Sequence, residues 1–185
     1  MPHSDLLDPQ KAALAVIDVQ ESFRKAIPDF ETIAVRASVA VQGFQILGLP
    51  VLVTEQYPKG LGHTAEEIRR VLPDNFEVYE KTAFSSCGAS QFVEKLRELG
   101  VEQVAVCGIE THVCVNQTVH DLLDHGFQVH ILSDCVSSRF EYNRLIGLEK
   151  MRRSGAISSS IEMAFFELMR DARHEQFKAM QALIK

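Results

Sequence analysis

Three residues of complementary chemistry stand at the ends of apolar runs. Asp18 follows AALAVI, Lys81 closes FEVYEK, and Cys114 lies in VAVCGIETHVCV, residues 104–115. The last stretch reads as a buried strand over Val104–Ile109, a turn through Glu110, Thr111 and His112, and a helix from about Val113. Cys114 then falls in a first helical turn, where unpaired N–H groups and about half a positive charge collect. A thiol so placed is expected to ionise more easily than a free one, with a pKa of roughly 3.5–7.5 against about 8.5. The thiolate is a nucleophile, and the same N–H groups suit an oxyanion. A carboxylate that takes the proton and a cation that holds the charge complete a cysteine hydrolase. Singly, Asp18 reads equally as a cap or turn former and Lys81 as a solvated lysine. The signal lies in finding all three at strand exits.

The elements that must position them alternate. Strands are expected at Ala12–Val19, Pro50–Thr54, Phe76–Lys81, Val104–Ile109, Gln128–Asp134 and Ala156–Ser158, from branched apolar runs or period-two alternation. Helices are expected at Glu31–Leu47, Ala65–Val71, Ser90–Gly100, Val113–Gly126, Asn143–Ser154, Ile161–Met169 and His174–Ile184. This alternation predicts a three-layer α/β/α sandwich around a mostly parallel, Rossmann-like six-stranded sheet, organised as a single domain over residues 1–185. Ligands in such folds bind beyond the carboxyl ends of the strands, where Asp18, Lys81 and Cys114 all fall. The loop Glu55–Thr64 (EQYPKGLGHT) makes Gln56 and Tyr57 possible pocket residues. Its two glycines lack the third of a dinucleotide fingerprint. Asp134 is expected to cap or pair locally with Arg139, a structural role.

Composition excludes several classes. The formal charge of −6 gives no electrostatic footprint for nucleic acid or an anionic membrane. No apolar run reaches the ~18 residues of a bilayer span. The start, MPHSDLLDPQK, has no basic region followed by an apolar one, so no signal peptide is read. The four cysteines, Cys87, Cys107, Cys114 and Cys135, form no C-x-x-C pair. They read as reduced thiols of a cytoplasmic protein, without ligand spacing for zinc.

The stretches AVIDVQ with Asp18, EKTAF with Lys81, GIETHVCV with Cys114, and VHILSDCVSSR resemble the isochorismatase-like hydrolases, also called cysteine hydrolases. That superfamily includes nicotinamidases, N-carbamoylsarcosine amidases and isochorismatases, and the resemblance covers nearly the whole chain. It implies a catalytic triad of Asp18, Lys81 and Cys114, a non-proline cis peptide between Ile109 and Glu110, and an oxyanion hole from the amides of Glu110 and Cys114. Where nicotinamidases carry an Asp-x-His metal pattern after the second strand, this chain reads Glu55-Gln56-Tyr57-Pro58. No metal and no cofactor are expected, and His63 reads as a solvated loop histidine. The loop looks more like the isochorismatase-domain branch. The resemblance also favours a homo-oligomer acting on a small molecule.

The expected chemistry is hydrolysis of a small amide-type C–N bond through a thioester on Cys114. Gln20, Phe23, Tyr57 and Phe84 are the candidate substrate-binding residues, the aromatics as an apolar wall. The rival readings are vinyl ether hydrolysis with Asp18 as the acid, a non-catalytic binding protein on the same fold, and a redox thiol protein. The last would need a resolving cysteine, which neither Cys107 nor Cys135 is obviously placed to be.

Overall fold

The computed structural model describes residue 3 and residues 5–185. Six strands form one sheet: β1 (Ala12–Ile17), β2 (Val51–Gln56), β3 (Val78–Lys81), β4 (Gln103–Ile109), β5 (Gln128–Ser137) and β6 (Ile157–Ser159), in the order β3-β2-β1-β4-β5-β6. Every strand pairing is parallel. The described helices are α1 (Phe30–Ile46), α2 (Pro58–Leu61), α3 (Glu66–Arg69), α4 (Ser90–Glu98), α5 (Asn116–Asp124), α6 (Glu141–Arg153), α7 (Ile161–Met169) and α8 (Phe177–Leu183). None is long and apolar enough to cross a membrane.

The sheet is covered on both sides, which is why β1 reads as six consecutive apolar residues, all buried. Leu14 and Val16 meet Phe30, Ala37 and Phe44 of α1, Ile68 of α3, and Phe165 and Leu168 of α7. Ala13, Ala15 and Ile17 point the other way, to Phe92 and Leu96 of α4, Val119 and Leu122 of α5, and Met151 of α6. Two apolar layers therefore clamp one sheet, as the alternation of elements anticipates.

Several boundaries move. β1 stops at Ile17 because Asp18 adopts φ 50, a left-handed turn. β2 continues through Glu55 and Gln56, so the following loop is shorter than expected and holds the one-turn helix α2. β5 runs on to Ser137, which puts Asp134 inside a strand. There Asp134 accepts from Arg36 of α1 at 2.9 Å and from the Ile161 amide at 3.0 Å; the expected pairing with Arg139 is replaced by a tie between strand and helices.

Order β1–β4 at the centre creates the crevice where chain direction diverges, the usual ligand position in this architecture. β4 passes β1 there at close range. Gly108, opposite Ile17, has φ +129, and a Cβ on it would stand 2.1 Å from the Ile17 carbonyl oxygen. Only glycine fits both constraints.

At the opposite end of β5, His130 is fully buried with Nδ1 unpartnered, and burial pushes its pKa down to about 4. The unfolded chain binds this proton near pH 6.5, the native state only near 4, so stability is complete above the higher value and falls as pH drops between them. The loss approaches roughly 3 kcal/mol at the acid limit. Urea unfolding across this window should show the decline, and His130→Leu should flatten it.

Candidate active site

Asp18 is delivered by the end of β1 and is fully buried. Its two oxygens are held separately. Oδ2 accepts from Lys81 Nζ at 2.6 Å, and Oδ1 accepts from Thr54 Oγ1 at 2.8 Å. Lys81 comes from the end of β3, two strands away, and its ammonium is withdrawn from solvent. It donates also toward Gln56 Oε1 at 3.0 Å, the Phe84 carbonyl at 2.8 Å and the Ala83 carbonyl at 3.2 Å. Taking an ammonium out of water is costly, and one carboxylate plus three neutral oxygens replace its hydration shell. The lysine that reads as solvated in isolation is the most fully enclosed cation of the site.

β4 delivers the third member. Its last peptide, Ile109–Glu110, is cis, and Thr111–Val115 then form a single wide π turn before α5 begins at Asn116. Cys114 is therefore inside a π turn that leads into the helix, rather than in the first turn of a regular one. Four bonds tie the turn to the end of β5 and the residues just past it. Thr111 Oγ1 donates to the Ser137 carbonyl at 3.0 Å, His112 Nδ1 meets Ser138 Oγ at 3.0 Å, and Glu110 Oε1 accepts from Arg139 N and Nε, both at 3.0 Å. The segment Val-Ser-Ser-Arg thus works as a clamp on the turn. α6 closes against the same turn at Gly147, where a Cβ would approach Thr111 O and His112 Cα to 3.1 Å.

The Cys114 thiol is buried beside the Asp18 carboxylate, close enough to feel its charge. Its pKa is not lowered as its position before a helix suggests; burial and then the charge of Asp18 push it up to about 12, against the pull of Lys81. Desolvation and a facing carboxylate outweigh the helix end. The resting cysteine is a thiol. Carboxylate, ammonium and thiol make a site of zero net charge, and moving the thiol proton to Asp18 leaves that sum unchanged. Such a transfer creates a thiolate beside Lys81 without adding net charge to a buried space.

The candidate substrate contacts divide. Tyr57 and Phe84 are about half exposed at the rim, Tyr57 with φ 37 and its amide on the Lys81 carbonyl. Phe23 packs against the core under α1. Gln20 is fully buried, its Nε2 donates to the carbonyls of Gln56 and Gly62, and its Oε1 accepts from the Gln56 amide. Its amide tethers the 56–62 loop.

His63 also departs from its expected solitude. Its Nδ1 lies 3.1 Å from Glu55 Oε2, while Glu55 Oε1 accepts from the amide and hydroxyl of Thr64. Among the described residues no three His, Cys, Asp or Glu side chains gather as metal ligands. Cys107 and Cys135 are buried on the adjacent strands β4 and β5, in the apolar layer opposite the one that holds Cys114.

Sequence reasoning missed Thr54, Ser86 and Thr118 behind Asp18, and the Glu110–Arg139 pair. Thr54 carried a faint signal, a polar residue closing the apolar run PVLV. Ser86 and Thr118 carried none, because hydroxyl residues in a loop and on a helix are ordinary.

An isochorismatase-domain family model matches residues 12–163. The chain is 39% identical over 181 residues to isochorismatase family protein 1B of Dictyostelium discoideum, covering 96% of this chain and 87% of that protein. It is 42% identical over 184 residues to the secreted isochorismatase effector Isc1 of Phytophthora sojae, covering 97% and 87%. Among solved structures, the MAR1 ribonuclease of Caenorhabditis elegans superposes with a TM-score of 0.90 at 38% identity, covering 97% of this chain and 92% of that one. With this sheet order, this strand-end crevice and matches of this extent, the chain belongs to the isochorismatase family of hydrolases.

Proposed function

We propose that the protein hydrolyses a small amide-type C–N bond with Cys114 as nucleophile, Asp18 as proton carrier and Lys81 as the fixed counter-charge. The observation that carries this reading is the buried constellation itself. A buried thiol lies within the electrostatic reach of a carboxylate that is paired at 2.6 Å with an ammonium shielded from water. An isolated buried ion pair contributes little to stability, and a perturbed thiol beside one at a strand-end crevice points to chemistry.

The thiol proton passes to Asp18 as sulfur attacks the carbonyl carbon, and the C–S bond forms while the carbonyl oxygen becomes an oxyanion. The amides of Glu110 and Cys114 are the proposed donors to that oxyanion, each worth about 3–4 kcal/mol in comparable sites. Asp18 returns the proton to nitrogen, the C–N bond breaks, and amine or ammonia leaves a thioester. Water then attacks the thioester carbon, its proton going to Asp18, and the C–S bond breaks as the thiol is restored. Tyr57 and Phe84 border the entrance.

The name ribonuclease belongs to the C. elegans protein. The charge of −6 here gives no support for a polyanionic substrate. A homo-oligomer is the assembly we propose, since Phe140, Tyr142, Leu145 and Ile146 leave apolar surface exposed along the start of α6; sedimentation velocity tests it.

A panel of small primary amides and carbamoyl compounds, assayed by ammonia release, tests the reaction. Intact-mass spectrometry after acid quench should reveal an acyl adduct on Cys114. No ammonia release from the whole panel, with turnover of a vinyl ether that persists in Cys114→Ala, would instead favour vinyl ether hydrolysis, with Asp18 as the acid.

A further inference from the structure

Behind Asp18 lies a line of hydroxyl groups that the reaction just described does not use. Thr54 Oγ1 donates to Asp18 Oδ1 at 2.8 Å, Ser86 Oγ donates to Thr54 Oγ1 at 3.3 Å, and Thr118 Oγ1 donates to Ser86 Oγ at 3.2 Å. The Ser86 amide donates back to Thr118 Oγ1 at 2.8 Å. Thr54, Ser86 and Thr118 are all wholly shielded from solvent, at 0% exposure.

The direction of this chain is set at Asp18. A carboxylate only accepts, so Thr54 must donate its one proton to it. Ser86 must then donate to Thr54 and Thr118 to Ser86, while Thr118 Oγ1 also accepts from the Ser86 N–H. Every hydroxyl between then donates toward Asp18, the arrangement in which successive hydrogen bonds polarise one another. The chain also joins separate pieces of the fold: Thr54 on β2, Ser86 in the turn after β3, and Thr118 on α5, four residues past Cys114. The Thr54 hydroxyl leaves Asp18 Oδ1 no freedom to rotate away, and Lys81 fixes Oδ2.

We propose that Thr54, Ser86 and Thr118 are positioning residues that aim the Asp18 carboxylate at the Cys114 thiol and keep it a competent proton acceptor. This rests on Asp18 acting as the base. The charged and titratable groups around the two reacting atoms are Lys81 from β3, Cys114 from the π turn and Glu110 before it, the last already bound by Arg139. Among the described residues Asp18 is the charged group hydrogen-bonded to this hydroxyl chain, so the effect of the chain on Asp18 is delivered by hydrogen bonds.

The experiment is the pH dependence of Cys114 alkylation by iodoacetamide, read at that residue by mass spectrometry. Alkylation assisted by Asp18 gives a plateau around neutrality; reaction of the bare thiolate gives a separate alkaline rise. Thr54→Val keeps the volume and removes the donor. It should lower the neutral plateau about ten- to a hundredfold, the worth of a hydrogen bond to a charged group, and leave the alkaline rise in place. Thr54→Ser should restore the plateau, and Ser86→Ala, one bond further away, should lower it less. A purely structural role would move both limbs together, or lower thermal stability with the profile unchanged, and either result overturns the proposal. Asp18→Asn separates the two readings. If it removes the plateau and Thr54→Val does not, the hydroxyl chain fails while the base survives. If Asp18→Asn leaves the plateau intact, Asp18 is not the base and both readings fall.

Discussion

Cys114→Ala should abolish amide hydrolysis, with a loss in kcat on the order of 10⁴–10⁶, because removing a covalent nucleophile removes the path and not merely a contact. The same substitution should leave the fold standing. Only one sulfur atom leaves a buried site, and deletions of that size cost about 1 kcal/mol or somewhat more. The informative comparison is therefore kcat against urea midpoint in one preparation: activity collapses while the midpoint barely moves. Cys114→Ser sharpens the point. Its hydroxyl sits where the thiol sits, next to Asp18, but an alkoxide is far harder to generate than a thiolate. It should recover little of the lost rate although it keeps a proton donor beside Asp18. Retention of more than a tenth of the wild-type kcat by either variant would remove sulfur from the mechanism.

The resting ionisation of this cysteine decides how the rate should be read. With its pKa at about 12, the thiolate is a negligible species at neutral pH, and attack must be coupled to proton transfer. A helix terminus supplies a fraction of a charge over its first turn, whereas burial removes most of the solvation of a full charge. Lys81 offsets this only in part, because its own charge is already paired with Asp18. The expectation of an easily ionised cysteine followed from local sequence alone. It failed because the quantity that governs a buried thiol is the enclosure built by distant segments.

That failure marks what was legible and what was not. The layered fold could be read because β1 and β4 are buried on both faces and therefore nearly continuously apolar. Asp18 and Lys81 stood out as polar residues at strand exits, a pattern that survives without coordinates. Gln20 looked like a neighbour of the site and is one, but its amide turns to the 56–62 backbone. Sequence position cannot distinguish a side chain facing a pocket from one facing a loop. The contact between Thr54 Oγ1 and Ser86 Oγ was illegible for the same reason. They lie 3.3 Å apart although 32 residues separate them, and hydroxyl side chains carry no periodic signature. Asp134 shows the converse, since a likely-looking near partner, Arg139, is claimed by Glu110 while Arg36 arrives from across the chain.

Lys81→Met should be the most destabilising single change in the site, at about 3–5 kcal/mol. The methionine has nearly the length of the lysine and adds no polar group, so the cost does not arise from lost packing. It arises from Asp18, whose carboxylate would remain fully buried with Thr54 as its remaining fixed donor. Gln56 Oε1 and the Phe84 and Ala83 carbonyls would also lose their donor, adding unsatisfied buried acceptors. The double variant Asp18→Asn/Lys81→Met removes the stranded charge and should regain a substantial part of the loss. A double-mutant cycle on urea midpoints then gives a coupling of 0.5 kcal/mol or more, and roughly up to 3 kcal/mol, for groups in direct contact. Lys81→Arg should not rescue, because a planar five-donor guanidinium cannot replace a compact ammonium surrounded by four oxygens at 2.6–3.2 Å. If the single and double variants are equally destabilised, the ion pair is not what holds this region together. If the double variant recovers stability but no activity, the pair is kept for the reaction, at a cost to the fold that an apolar pair would not impose.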